Sequence, residues 1–351
     1  MKKIKIIEST NLHLNEMTHH HLDLLDPEER KKLREYVMGN KDFPLSHEPT
    51  FFYEAMDWVH RQWDHHGINQ APAGSSTLDI LKRAASGERF RCVEYASVSR
   101  DVLIAFGHPA RSVNILSADA DYGGAGKGHM GTEVWSDYLD KWVFLDPQFN
   151  CYPMKDGIPL HFTELVEHYD HVQFHSPSKE TLGVYPSFVS DYFGYIRTNR
   201  NEHQRHIRMT LPLQGYEQQL AFEAMELDHA SYTNNKDDFY PALNHTMILF
   251  EYKEKKDLPK LIQDYNIQTE EEYEAFLPLL SAKPDYRLTF IHTAEAFSHY
   301  EVSIDAGDPF VLYDNELNWS LVEGMNRITA RTVNECGVKG VPVTMTINYG
   351  E

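Results

Sequence analysis

Three residues, Cys92, His129 and Asp146, stand in an order and in local surroundings that leave few folds open to this chain. Cys92 lies in Gly87-Glu88-Arg89-Phe90-Arg91-Cys92-Val93-Glu94-Tyr95-Ala96, at the start of a run that reads as a helix ending near Gly107. A thiol at a helix N-terminus feels the positive end of the macrodipole, which favours the thiolate and lowers its pKa. His129 opens the extended segment Met130-Gly131-Thr132-Glu133-Val134-Trp135, and Asp146 closes a second one, Lys141-Trp142-Val143-Phe144-Leu145-Asp146. Residues 137–140 form a polar turn between them, so the pair reads as a β-hairpin. That hairpin sets the Asp146 carboxylate beside the His129 imidazole, with the cysteine helix packed on the sheet. A thiol, a base and a carboxylate that orients the base make a nucleophilic triad of the Cys-His type.

These blocks, joined by Phe106-Gly107-His108-Pro109-Ala110-Arg111, resemble the transglutaminase-like superfamily of papain-like cysteine enzymes, in particular bacterial-type proteins that add a C-terminal β domain. The order Cys, His, Asp and the spacings of 37 and 17 residues fit that family, and the resemblance covers roughly residues 50–155. It implies an α+β catalytic core, no cofactor, and chemistry through a thioester on Cys92. It also implies a helix upstream of the cysteine helix whose side chains help an oxyanion hole; Gln62 and Trp63 are the candidates. For Trp63, plain core is the favoured reading. One departure is visible: members carry an aromatic residue two positions after the histidine, where this chain has Gly131. On a strand, Gly131 shares a face with His129. Either the pocket is wider beside the imidazole, or another side chain fills the gap, with Trp135 or a residue of the 123–128 loop as candidates; the wider pocket is the expectation.

At 351 residues the chain is long enough for two domains. With 53 acidic against 33 basic residues its net charge is −20, which argues against nucleic acid or an anionic membrane as a partner. Three cysteines, Cys92, Cys151 and Cys336, are too few for a disulfide framework and suit a reducing compartment. The N-terminus has no apolar run behind its lysines, and no segment is long enough to span a membrane, so a cytoplasmic protein is expected.

Residues 1–48 read as an N-terminal extension, with a strand at 4–7 and a helix at 27–38. His19-His20-His21 lacks the i, i+4 spacing of a helical metal site and is read as solvated. Phe52, Ala55, Met56, Val59 and Trp63 give residues 49–66 one apolar face, ended by Gly67. His60 and Asp64 on it have ligand spacing but no third partner, so no metal is expected. A short helix follows at 77–86, and in the cysteine helix Val93, Ala96, Val102, Leu103 and Phe106 are candidate buried positions. Residues 110–116 read as a strand. Gly123, Gly124, Gly126 and Gly128 surround Lys127, but no Ser or Thr follows and a strand comes next, so this is an active-site rim and not a phosphate loop.

The catalytic domain is placed at 49–180, with a helix at 163–169 but nothing assigned among the many His, Tyr and Phe of 155–200. Residues 181–351 read as mainly β with a charged helical insertion at 251–280. Strands at 327–333 and 341–349 close it as an immunoglobulin-like sandwich. The function expected is hydrolysis of an amide bond in a peptide or protein substrate, with or without a glycan. The alternatives are acyl transfer to an amine, a glycopeptide amidase, and a non-catalytic binding protein that keeps the fold.

Overall fold

The computed structural model describes residues 2–11, 25–40, 43, 46–120, 126–202, 205–214, 229–252 and 257–350. The histidine run at 19–21 and the glycines at 123 and 124 lie outside the described residues. The chain forms two compact units: His19–Leu243, and Met1–Thr18 joined by Asn244–Glu351.

The first element, β1 (Lys3–Ser9), pairs antiparallel with the last strand of the chain and so belongs to the second unit. The other unit begins with α1 (Pro27–Met38), started by an Asp26 side chain that accepts the Glu28 N–H, with Pro27 where no N–H is needed. Next comes α2 (Thr50–His60), which buries Phe51, Phe52, Ala55, Met56, Trp58 and Val59. Then α3 (Thr77–Ala85) starts on a Ser76–Asp79 capping box. In α4 (Cys92–Ala105) ten of fourteen residues are buried, the mark of a helix enclosed on nearly all sides. Gly107, at φ +93°, supplies the left-handed turn just past its end. Val93, expected inside, faces out at 38% exposure.

β2 (Ala110–Leu116), β3 (Gly128–Ser136) and β4 (Lys141–Leu145) form the antiparallel heart of the sheet, in the hairpin register expected for β3 and β4. A small sheet of β5 (Tyr152–Lys155), β6 (Ile158–Pro159) and β7 (Gln173–His175) follows, with α5 (Phe162–Glu167) and α6 (Lys179–Ser190). β8 (Tyr195–Glu202), β9 (Arg205–Pro212) and β10 (His229–Tyr232) complete the large sheet in the order β10-β9-β8-β2-β3-β4, and α7 (Lys236–Phe239) closes the unit. One face of this sheet packs Val134, Val143 and Leu145 against α1 to α4. The other packs Val113, Ile115, Phe144 and Ile196 against α5 and α6.

The expected boundary near residue 180 does not coincide with this division. β8 pairs with β2 through Val113↔Thr198, Asn114↔Arg197 and Ile115↔Ile196, so the backbone groups on that side of β2 are satisfied by residues beyond 180. Residues 239 and 240 are held to the same sheet by Arg111. Its guanidinium donates to Glu133 at 2.7 and 3.0 Å and to the Phe239 carbonyl at 2.6 Å, and sits over the Trp142, Phe239 and Tyr240 rings. The extension expected at 1–48 is likewise divided: Leu33, Val37 and Phe43 join the helical core, while β1 goes to the β unit.

The second unit contains β11 (Thr246–Tyr252), α8 (Leu258–Asp264), α9 (Glu270–Phe276), β12 (Asp285–His292), β13 (Phe297–Ile304), β14 (Phe310–Leu312), β15 (Glu316–Ser320), β16 (Gly324–Asn334) and β17 (Val343–Gly350). Two antiparallel sheets, β1-β17-β16-β13-β14 and β11-β12-β15, share one core that includes Leu288, Phe290, Trp319, Val302, Ile328 and Ile347. The charged insertion is two short helices, and the expected last two strands pair as β16 and β17.

Candidate active site

Cys92 is the first residue of α4. Arg91 before it is extended, and Glu94, three residues into the helix, accepts the Arg91 backbone N–H at 3.2 Å and its guanidinium at 3.2 Å. Glu94 also accepts the Ala71 N–H, which anchors the loop before α3 to the start of α4. The helix start is therefore fixed by a carboxylate that is itself buried and paired. The Cys92 N–H belongs to the first turn, where backbone donors have no partner within the helix.

His129 and Asp146 lie at the open end of the β3–β4 hairpin. With Thr132 opposite Leu145, the register puts Asp146 opposite Gly131, diagonal to His129 and on its face of the sheet. His129 Nε2 lies 2.8 Å from Asp146 Oδ2, and both side chains are buried. The other carboxylate oxygen accepts the Phe149 N–H at 3.2 Å, and the backbone of Asp146 exchanges two hydrogen bonds with Cys151. With Nε2 committed to Asp146, Nδ1 is the ring nitrogen left for the thiol.

The electrostatics follow from this arrangement. Burial pushes the Cys92 thiol up. The hydrogen bond and charge of His129, with the Met130 N–H, outweigh that and leave it below its ordinary value against the opposing charge of Asp146. Burial disfavours a charged His129, yet the carboxylate of Asp146 and the Cys92 thiol together raise its pKa to about 10. Each group is set by the other: His129 favours ionisation of the thiol, while Asp146 and the thiol favour a protonated imidazole.

Of the sequence-predicted residues, the structure brings together Cys92, His129 and Asp146. Gln62 does not join them; its amide turns back to donate to the Trp58 carbonyl at 2.7 Å. Trp63 is core, packed on Tyr95 and Phe90 with ring centroids at 4.5 and 5.7 Å, though its indole N–H is buried without a partner. Trp135 is six residues along β3, about 20 Å from His129 at the rise of a strand. It packs on Trp142 and donates to Asp137, so it does not line the site. His60 faces the Pro147 carbonyl at 3.1 Å.

The wider pocket at Gly131 is corrected. A Cβ there would lie 2.5 Å from Phe144 Cε2 and 3.2 Å from the Leu145 carbonyl oxygen. Phe144, fully buried on β4, fills the space, and Trp135 does not.

The other wall of the site comes from residues that sequence reasoning left unassigned. Phe188 stands edge-on to the His129 ring at 5.1 Å, Phe149 edge-on at 5.9 Å, and Tyr192 tilted at 6.0 Å. Burial raises the Tyr192 phenol, helped by the charges of Asp191, Cys92 and Asp146. Tyr185, Phe188 and Tyr192 recur at three- and four-residue steps, a helical signal that was present in the chain. His65 is a further neighbour: exposed on the loop after α2, it is pushed below its usual value by partial burial and by the charges of His129 and His66, against the opposing charge of Asp146.

Fold and site define an α+β protein with a cysteine, a histidine and an aspartate gathered at one end of an antiparallel sheet. Residues 32–147 match the family model of the Transglutaminase-like superfamily, whose members are usually cysteine enzymes, and this segment is a transglutaminase-like domain. Among solved structures, a candidate cysteine protease from Cytophaga hutchinsonii aligns at 12% identity and TM-score 0.27, covering 42% of this chain and 65% of that one. Red sea bream transglutaminase aligns at 10% identity and TM-score 0.26, over 90% of this chain and 72% of that one. The Rad4–Rad23 complex bound to a 6-4 photoproduct lesion aligns at 13% identity and TM-score 0.21, over 35% and 34%. The chain spans less than two thirds of the first of these proteins and about a third of the last. No match to the chain is found among curated proteins.

Proposed function

We propose that this protein is a cysteine-dependent amidase or peptidase that cleaves an amide bond of a peptide or protein substrate through a thioester on Cys92. The observation that carries the reading is the coupled pair of a lowered thiol at the start of α4 and a raised imidazole 2.8 Å from a buried carboxylate. In this reading the thiolate attacks the amide carbonyl, and the Cys92 N–H with one further donor holds the oxyanion. The imidazolium gives its proton to the departing nitrogen, and Asp146 fixes the ring throughout. Water, drawn on by the then neutral imidazole, hydrolyses the thioester. An amine in place of water turns the same site into an acyltransferase.

The two-sheet β unit is read as an immunoglobulin-like module for substrate choice or assembly, because sheets of that kind offer recognition surface without chemistry. A cytoplasmic location is proposed from three cysteines that are all free. Among the described residues no helix is long and apolar enough to cross a membrane.

Alkylation with iodoacetamide at mildly acidic pH, read by mass spectrometry, tests the site. Cys92 is expected to label well before Cys336 and before Cys151, which is buried with its thiol pushed up. Equal labelling of all three removes the enzyme reading in favour of a binding protein that keeps the fold.

A further inference from the structure

We infer that the aromatic flank formed by Phe188 and Tyr192 is the binding site for the amine half of the substrate, and that it selects leaving or attacking amines bearing an apolar, preferably aromatic, group. This rests on the amidase reading and deepens it.

The placement follows from the direction of proton transfer. The proton that frees the amine comes from His129, so the amine nitrogen has to lie against the imidazole and its substituent beside whatever borders that ring. What borders it is Phe188 at 5.1 Å and Tyr192 at 6.0 Å, themselves 5.2 Å apart. Both are half-buried, whereas Tyr185 and Val189 of the same segment are fully buried in the core. Two rings, Phe188 on α6 and Tyr192 two residues past its end, are thus left partly exposed beside the reacting groups while Tyr185 and Val189 anchor the segment from behind. Open aromatic faces beside a polar centre favour an apolar ring by area burial and by offset or edge contacts.

The acyl-enzyme gives a test that needs no knowledge of the acyl specificity. With p-nitrophenyl acetate, Cys92 Sγ bonds to the acetyl carbon and p-nitrophenolate leaves with the electron pair. An added amine then attacks the thioester carbon: the C–N bond forms, the C–S bond breaks, the amine proton passes to His129 and the thiolate returns. By microscopic reversibility that amine enters where a leaving amine departs. Amide formation is measured with 2-phenylethylamine and with ethylamine in the full-length protein, at equal concentrations of free base.

Phenylethylamine is expected to capture the acetyl group at least about tenfold better, the scale of discrimination that apolar pockets achieve. Phe188→Leu and Tyr192→Leu are each expected to cut that ratio severalfold, and the exposed Val184→Ala on the same helix to leave it unchanged. A ratio near one in the wild-type protein, or a ratio that survives both leucine variants, overturns the inference while leaving the amidase reading standing. Failure of Cys92 to acetylate overturns the amidase reading itself, and the inference with it.

Discussion

The ring of Phe144 lies over Gly131: a β-carbon at residue 131 would approach Phe144 Cε2 to 2.5 Å and Cζ to 2.7 Å. Gly131 is two residues from His129 on β3, and Phe144 two residues before Asp146 on β4, so the close packing of this pair sits directly behind the histidine–aspartate contact. The missing side chain at residue 131 therefore leaves no hole; its room is used from the neighbouring strand.

Gly131→Ala is expected to destabilise the protein by about 1–3 kcal/mol, the usual cost of forcing atoms into a packed site. Gly131→Trp is expected to prevent folding rather than to retune substrate size. Urea unfolding checks both, and adding Phe144→Val to Gly131→Ala is expected to recover part of the loss. Wild-type stability in Gly131→Trp would show that Phe144 swings away and the pocket is adaptable.

Removing the three site residues one at a time separates their roles. Cys92→Ala is expected to reduce acetyl-enzyme formation and turnover to background, with His129→Ala lower than wild type by roughly 10⁴-fold or more. Asp146→Ala is expected to be some tenfold to a hundredfold milder than His129→Ala, because it orients the base and does not react. Substantial turnover by Cys92→Ala would place the chemistry elsewhere.

Activity is expected to follow a bell in pH. On the acid side kcat/KM rises as Cys92 loses its proton, at a pH below the ordinary thiol value because His129 and the Met130 N–H outweigh the effect of burial. On the alkaline side it falls as the imidazolium deprotonates near pH 10. Asp146→Asn removes the charge that most raises His129, so the alkaline limb is expected to move to lower pH. An unmoved limb would mean that another group titrates there.

His108 gives the fold its own pH dependence. It is buried with Nδ1 unpartnered, between the Phe51 and Phe52 rings at 5.2 and 5.0 Å, and burial lowers its pKa to about 4. The unfolded chain takes up this proton near pH 6.5 and the folded chain not until about pH 4, so the unfolded state holds more protons between them. The stability contribution is complete above the unfolded value and is lost as pH falls toward the folded one, about 3 kcal/mol at most. His108→Phe is expected to flatten urea stability over that window; an identical slope in the variant would assign the loss to other groups.

Arg111→Met is expected to cost about 3–5 kcal/mol, because it leaves Glu133 charged and fully buried. Arg111→Met with Glu133→Leu is expected to recover part of that cost, since the unpaired charge goes too. Denaturant midpoints of the three proteins settle it; a harmless single variant would mean that water reaches Glu133.

The site nucleus was legible because its signals are local. A cysteine at a helix start, a histidine opening one strand and an aspartate closing the next are fixed by periodicity and turn residues, and hairpin pairing does the rest. The helices at 27–38 and 77–85 were legible for the same reason: Asp26 and Ser76 cap them from within the neighbouring turn. Gln62 and Trp135, offered as site candidates, do not reach the site, and Trp63 is core as favoured, because the role of a side chain depends on where its helix or strand points after packing. Gln62, two residues past the end of α2, folds back on that helix, Trp63 is taken up by Tyr95 and Phe90, and Trp135 is carried to the far end of β3.

Sequence by itself determined the order of the nucleophile, base and carboxylate, the hairpin that brings the last two together, and the strand alternation at the end of the chain. Tertiary structure alone decided what surrounds them. It carried β1 across more than three hundred residues to β17 and laid β8 against β2. It filled Gly131 with Phe144, and it set the rings of Phe188 and Tyr192 against His129. The physical reason is range: caps, turns and helical periodicity act over a few residues, whereas strand partners and packing neighbours are chosen by burial and backbone hydrogen bonding among segments far apart in the chain.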